Sequence, residues 1–396
     1  MNPTTISTSG PNPPRTPWIR FDRNEFAGSF GDIGTDLPLI MLMIPAAGLD
    51  SASVFIMFGA LQILTGLIYG LPMPMQPLKA MALLVITQKI GGDVLYGAGL
   101  AIGVIMLVLT LTGLLGWLVR VIPLCVVRGV QMGLGLSLAS MALKDYVPSL
   151  GWHGYALAGV AFVTTIMLWG NRRLPAALVV IGLGVVYAAI FRLDTEAVVN
   201  GAGFTLPTVH TPSWENIWTG LLVLSLPQLA LSLSNSVVAT HRTLADLYPE
   251  RQIGVRTLGI TYGVTNVITP WFGGIPVCHG CGGLAGHHAF GARTGGSVII
   301  YGSLYVVIGL FFAGALTQIT EVFPQPILGV VLLFEALVLT LFSRDIATRS
   351  KREFAIALLV ALIALALPQG FVIGLAVGTA LFYFGRRYRI FGEDGA

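Results

Sequence analysis

Between Gly70 and Ala80, three prolines fall within six residues of an otherwise apolar stretch, Gly70-Leu71-Pro72-Met73-Pro74-Met75-Gln76-Pro77-Leu78-Lys79-Ala80. Each proline removes a backbone donor and clashes with the preceding turn, so no regular helix runs through it. Residues ahead of a proline are pushed toward extended backbone. The stretch therefore predicts extended chain over 71–76, with Pro77 opening a helix, where a missing N–H costs nothing. Apolar sequence then continues only to Ile90. A helix over 77–90 is about 21 Å long at ~1.5 Å per residue, short of a hydrocarbon core of ~30 Å. The expected element is a strand followed by a half-helix that starts near a membrane midplane.

A second such stretch follows about 200 residues later: Gly273-Gly274-Ile275-Pro276-Val277-Cys278-His279-Gly280-Cys281-Gly282-Gly283. Paired short segments broken by glycine and proline in corresponding halves point to a transporter binding site. Two half-helix N-termini aimed inward suit an anion. Bare backbone at that depth is tolerated only where it lines a cavity.

The membrane setting follows from charge. Only 10% of residues are charged and 55% are hydrophobic, where soluble domains carry roughly 25% charge. The fold class expected is an all-α polytopic membrane protein. Fourteen spans are read, at 26–48, 51–70, 73–90, 93–117, 120–142, 152–169, 174–192, 216–240, 253–271, 276–291, 297–318, 324–342, 353–368 and 370–386. With that count, all of the 22 Lys and Arg except Lys79, Lys89, Lys144 and Arg192 fall on one side. The positive-inside rule makes that side cytoplasmic, with both termini. The net charge of +4 is thus a matter of topology, and no nucleic-acid partner is expected. Residues 1–25 read as a disordered cytoplasmic tail, rich in Pro, Ser and Thr and lacking the apolar core of a signal peptide, and 388–396 as a second cytoplasmic tail. Cys125, Cys278 and Cys281 all lie in apolar segments, so no disulfide framework is implied.

Polar residues inside the spans carry the functional reading. The first span holds Asp32, Thr35 and Asp36 among three glycines and Pro38, and is expected to be kinked or partly unwound. Asp32 either caps and pairs near the mouth or belongs to a site; Asp36 lies deeper. The eighth span carries Gln228 beside Pro227, then Ser232, Ser234 and Asn235. The serines and Asn235 suit helix–helix hydrogen bonds, and Gln228 suits a ligand. Glu335 in the twelfth span is an isolated acid that fits either a structural partner or a proton site. In the tenth span, Cys278-His279-Gly280-Cys281 has too few further ligands for a zinc or redox centre, even with His287 and His288 nearby. No metal and no cofactor are expected, and the glycines there let backbone approach a ligand closely. In the fifth span, glycines 129, 133 and 135 suit close helix packing.

Weak internal echoes divide the chain. Leu226-Pro227 repeats Leu37-Pro38 at an offset of 189, Pro276 repeats Pro74 at 202, and Gly329-Val330 repeats Gly129-Val130 at 200. Two repeats of seven spans follow, and an odd number forces the second to be inverted. The polar connection from Asp194 to Glu215 lies between them.

The residues also resemble a known family. Gly31-Asp32-Ile33-Gly34-Thr35, Pro74-Met75-Gln76-Pro77-Leu78-Lys79-Ala80, Val126-Val127-Arg128-Gly129-Val130-Gln131, Pro276-Val277-Cys278-His279-Gly280, Gly282-Gly283-Leu284-Ala285-Gly286 and Phe290-Gly291-Ala292-Arg293-Thr294-Gly295 resemble the molybdate transporters, a branch related to sulfate permeases. Asp36 departs from the family's pattern. The resemblance implies the seven-plus-seven inverted-repeat fold of sulfate permeases and nucleobase–ascorbate transporters, without the cytosolic STAS domain that sulfate permeases carry. It implies a core domain from 26–118 and 216–318, a gate from 119–195 and 319–387, and a connecting loop at 196–215. Substrate would lie between the half-helices of spans three and ten.

The expected function is therefore secondary uptake of a tetrahedral oxyanion, molybdate before sulfate, by alternating access of core against gate in the cytoplasmic membrane. Substrate-binding candidates are Thr35, Asp36, Gln76, Leu78, Lys79, Gln228, Asn235, Cys278, His279, Gly280 and Cys281. Coupling candidates are Asp32, Asp36 and Glu335, with protons or other ions as co-substrates. Lipid and a homodimer are the other partners expected. A nucleobase permease on the same fold is the rival substrate class, disfavoured because the eighth span lacks the acid such permeases use. A non-transporting scaffold or an enzyme is the other rival; no nucleophile–base set supports the latter.

Overall fold

The computed structural model describes residues 18–169, 171, 176–191, 201–367 and 369–388. Residues 1–17 and 389–396 of the expected tails lie outside that set, as do the cationic positions Arg15, Arg172, Arg173, Arg192 and Arg389. The first half of the chain runs α1 (Arg23–Ser29), α2 (Ile33–Ala47), α3 (Ser51–Tyr69), β1 (Met75–Pro77), α4 (Lys79–Gln88), α5 (Gly92–Leu111), α6 (Leu114–Val121), α7 (Leu124–Met141), α8 (Gly151–Met167) and α9 (Ala176–Phe191). The second half runs α10 (Trp214–Leu247), α11 (Val255–Ile268), β2 (Val277–His279), α12 (Cys281–Ala289), α13 (Gly296–Phe311), α14 (Ala313–Val322), α15 (Gln325–Leu341), α16 (Arg344–Ala347), α17 (Lys351–Ala366) and α18 (Gly370–Tyr388).

The chain is a multi-pass membrane protein. Among the described residues, five helices are long and apolar enough to cross a membrane alone, and α1 with α2 forms a sixth bent by 41°. That bend, at Phe30–Asp32, is the kink expected of the first span. Helix α10 runs through Pro227, which can offer no N–H to the turn before it; the turns on either side open to π geometry at Leu221–Ser225 and Ser232–Ala239, as an interrupted ladder requires.

Small residues set the helix contacts. Gly59 of α3 meets the backbone of Gly302 on α13, and Gly66 meets that of Gly295. Gly103 of α5 likewise meets Gly263 on α11. In α7, Gly129 and Gly133 face α17, and Gly135 faces α15. Without a hydrophobic drive between helices in lipid, such close approach supplies the attraction.

The two broken stretches meet at the centre. β1 and β2 pair antiparallel, with Met75 opposite His279, Gln76 opposite Cys278 and Pro77 opposite Val277. Residues 71–83 are all buried. The helix that follows β1 starts at Lys79, with Leu78 as its cap residue, and not at Pro77. The reason is tertiary: Pro77 is held extended opposite Val277, and the Leu78 N–H donates to the Pro276 carbonyl at 3.1 Å. Each strand is also clamped by an amide side chain. Gln62 of α3 donates to the Met75 carbonyl (2.7 Å) and accepts the Met75 N–H (3.0 Å). Asn266 of α11 donates to the Val277 carbonyl (2.7 Å) and accepts the Val277 N–H (2.9 Å). Met75 and Val277 are separated by 202, the offset of Pro74 from Pro276. The centre therefore has a local two-fold relation, with Gln76 and Cys278 beside its axis.

The ordered fold begins ahead of residue 26. Asp22 caps α1, accepting the N–H groups of Asn24 and Glu25 at 2.9 and 3.0 Å. Glu25 is fully buried and accepts the N–H groups of Arg293 and Thr294 at 2.9 Å and of Ser297 at 3.1 Å, capping the start of α13. Glu25→Ala leaves three buried donors unpaired. The expected loss is about 3 kcal/mol or more, read as a clear fall in the thermal unfolding temperature of the detergent-purified protein, with a smaller fall for Glu25→Gln.

Candidate functional site

Lys79 occupies the first turn of α4, where a cation opposes the positive end of the helix dipole. It is buried, so it needs an anionic partner. That partner is Glu335 of α15, whose Oε1 forms an ion pair with the Lys79 ammonium. The second oxygen of the same carboxylate accepts the Thr35 hydroxyl of α2 at 3.1 Å. One side chain from α15 thus binds one group from α4 and one from α2.

On the other side of Lys79 is a void of about 10 Å3, lined by Lys79, Leu134, Gln228, Leu231, Asn235, Ser236, Cys278 and Leu339. That is room for about one water. Larger cavities lie to either side. One of about 480 Å3 reaches Thr35 and Glu335 between Phe30, Trp169 and Phe290. Another of about 590 Å3 lies along the C-terminal half of α4, with Asp145 and Gln369 in its walls. Lys79 lines neither of these two vestibules, only the small void.

The polar residues around the void are mutually bonded. The Gln228 carbonyl oxygen accepts the N–H of Ala80 at 2.9 Å and of Met81 at 3.3 Å, so it caps α4. Its amide donates to the Ser232 hydroxyl at 3.2 Å, which pairs with the Tyr262 hydroxyl at 2.7 Å. Asn235 accepts from the Gln131 amide at 3.0 Å and from the Cys281 thiol at 3.2 Å. Gln131 in turn accepts from Arg128 at 3.0 Å, and Arg128 pairs with Asp345 at 2.6 Å. A chain of polar contacts thus runs from the void to an exposed ion pair.

Gln76 donates to both oxygens of Asp32 at 2.7 Å. Asp36 is buried beside Asp32, and neither of its oxygens has a hydrogen-bond partner among the described residues. Glycines make room for this arrangement. A methyl group at Gly280 would overlap the Gln76 side chain, and one at Gly283 would overlap Asp32 and Pro74. At Gly282 it would meet nothing within 4 Å.

A family model described as "Molybdate transporter of MFS superfamily" matches residues 24–138 and 220–339. The chain belongs to the molybdate transporter family. Within that family it is 34% identical over 374 residues to Molybdate transporter 1 of Arabidopsis thaliana, a match covering 82% of this chain and 80% of that relative. It is 33% identical over 408 residues to Molybdate transporter 2 of the same plant, covering 91% and 86%. The family is one of transporters and not of enzymes. Among solved structures, the chain resembles the transmembrane domain of a cyanobacterial bicarbonate transporter, BicA. The TM-score is 0.66 at 15% identity, over 90% of this chain and 98% of that one. That likeness gives the chain the inverted-repeat fold of that transporter.

Set in this fold, the residues singled out from sequence divide. Lys79, Gln228, Asn235 and Cys278 line the void, and Thr35 joins Glu335 at the vestibule wall. Cys281 and Gln76 lie one contact away, through Asn235 and opposite Cys278, Asp32 one further through Gln76, and Asp36 beside Asp32. His279 points elsewhere: its Nε2 meets the hydroxyls of Thr261 (2.7 Å) and Tyr69 (3.3 Å). Leu78 spends its N–H on Pro276, and Gly280 serves Gln76. Leu134, Leu231, Ser236 and Leu339 also line the void and are not among the residues that the sequence singles out. Leu231 and Asn235 continue the face of α10 that Gln228 begins, which is a usable signal; apolar Leu134 and Leu339 offer none.

Proposed function

We propose that the protein is a secondary transporter that takes up a tetrahedral oxyanion, molybdate foremost, with the substrate bound at Lys79 between the N-termini of α4 and α12. The observation that carries this is the position of Lys79. In a member of the molybdate transporter family, a buried ammonium stands at a half-helix N-terminus and lines a small internal void. Membrane-buried cations mark ion pathways, and helix N-termini favour anions.

The proposed binding set is Thr35, Gln76, Lys79, Asn235, Cys278 and Cys281. Gln228 shapes the site by capping α4. Asp32, Asp36 and Glu335 are the coupling candidates. A dianion entering a negative-inside cell works against ~2.3 kcal/mol per charge per 100 mV, so uptake needs either co-transported cations or a strong inward gradient of the anion. We assign fourteen spans to two inverted repeats of seven, with core 26–118 plus 216–318 and gate 119–195 plus 319–387. The reading is supported by the two-fold strand register, by the matched clamps Gln62 and Asn266, and by reciprocal packing of α3 on α13 and α11 on α5. We assign both termini to the cytoplasm, a reading that the Lys and Arg distribution supports.

The test is uptake of labelled molybdate by proteoliposomes under imposed proton and sodium gradients, with sulfate as competitor. Concentrative uptake driven by one gradient, and displaced better by molybdate than by sulfate, supports the reading. A preference for sulfate would overturn the substrate and leave the oxyanion site standing. No uptake of either anion would overturn both.

A further inference from the structure

We propose that Glu335 is a tethered stand-in for the substrate: its carboxylate occupies the anion position on Lys79, and the oxyanion binds by displacing it. This rests on the oxyanion reading above and assigns to Glu335 a role that reading leaves open.

Both carboxylate oxygens are engaged, one by the Lys79 ammonium and one by the Thr35 hydroxyl. These are the groups that a dianion's oxygens need. The void beyond Lys79, about 10 Å3, cannot take a five-atom oxyanion beside an undisturbed pair. Charge gives the same answer. Lys79 is already neutralised by Glu335. A dianion added beside the intact pair would find no free positive side chain there. One that replaces Glu335 meets a free ammonium and two helix N-termini. The carboxylate has somewhere to go, because Glu335 lines the 480 Å3 vestibule, where water can receive it.

The exchange also has a mechanical consequence. Glu335 stands on α15, whereas Lys79 and Thr35 stand on α4 and α2. The ion pair ties these elements together when no anion is present. Substrate breaks the tie by competing for Lys79, so binding and freedom of α15 to move are linked through one side chain.

A purely structural ion pair predicts something different, because removing Glu335 would then leave Lys79 less well placed and weaken binding. The experiment measures the Kd of molybdate by calorimetry on purified wild type, Glu335→Gln and Glu335→Asp, with uptake rates in proteoliposomes. If Glu335 holds Lys79 nine-tenths of the time, it lowers apparent affinity about tenfold. Glu335→Gln should therefore bind molybdate about tenfold tighter or more, and turn over more slowly because nothing competes the anion off. Glu335→Asp keeps the charge on a shorter arm, so it should tighten binding less, and it serves if the glutamine variant does not fold. Unchanged or weaker binding in a monodisperse variant overturns the proposal and leaves the oxyanion site intact. A wild type that binds no oxyanion overturns the proposal together with the reading beneath it.

Discussion

Lys79→Gln is expected to abolish oxyanion binding, raising Kd at least about a hundredfold, while the protein remains inserted and folded. Two effects add. The substitution removes a charge-assisted contact, worth roughly 1.5–3 kcal/mol. It also leaves the Glu335 carboxylate beside the site without its ammonium partner. That charge then repels the incoming dianion. The double variant Lys79→Gln/Glu335→Gln removes the repulsion and should recover stability, but not wild-type affinity, because the ammonium is still missing. Calorimetric titration of the three proteins checks this. A Lys79→Gln variant within about threefold of wild type would place the anion elsewhere.

Gly280→Ala should weaken binding of molybdate and sulfate alike. The sequence suggests that the glycines at 280, 282 and 283 leave space for the larger anion, so that alanine at 280 would penalise molybdate more. The structure changes that expectation. A methyl group at 280 runs into the Gln76 side chain, and Gln76 holds both oxygens of Asp32. The backbone at 280 has φ −105°, open to any residue, so the penalty is contact and not strain. Overpacking of this kind costs about 1–3 kcal/mol, or roughly five- to 150-fold if all of it falls on the binding-competent arrangement. Gly283→Ala pushes directly on Asp32 and should act in the same direction. Gly282→Ala meets nothing and is the control. Competition of each anion against labelled molybdate reads the outcome; a loss confined to molybdate would restore the space argument.

The broken spans were legible because proline acts locally. Three of them between Leu71 and Lys79 forbid a helix whatever surrounds them, and the strand and half-helix follow. The helix starts two residues later than the proline pattern predicts, because Pro77 is held opposite Val277, two hundred residues away in sequence. The same distance hides the chemistry of the site. Glu335 pairs with a lysine 256 positions earlier, and nothing local distinguishes a tethered counter-anion from a structural acid. Gln228 reads as a ligand because a glutamine beside a proline at mid-depth is costly, yet its oxygen goes to the N–H groups of Ala80 and Met81. The amides of Gln62 and Asn266, which clamp the two strands, carry no motif. Glu25 is similar: it sits in a polar stretch that looks like tail, and only the folded chain brings it under α13.

The most direct measurement is a structure of the purified protein with molybdate, in which molybdenum is located by its anomalous scattering. The account predicts one strong peak beside the Lys79 ammonium, between the first turns of α4 and α12, with the Glu335 carboxylate moved off Lys79 into the vestibule. A peak elsewhere, or molybdate bound with the Lys79–Glu335 pair intact, would contradict it.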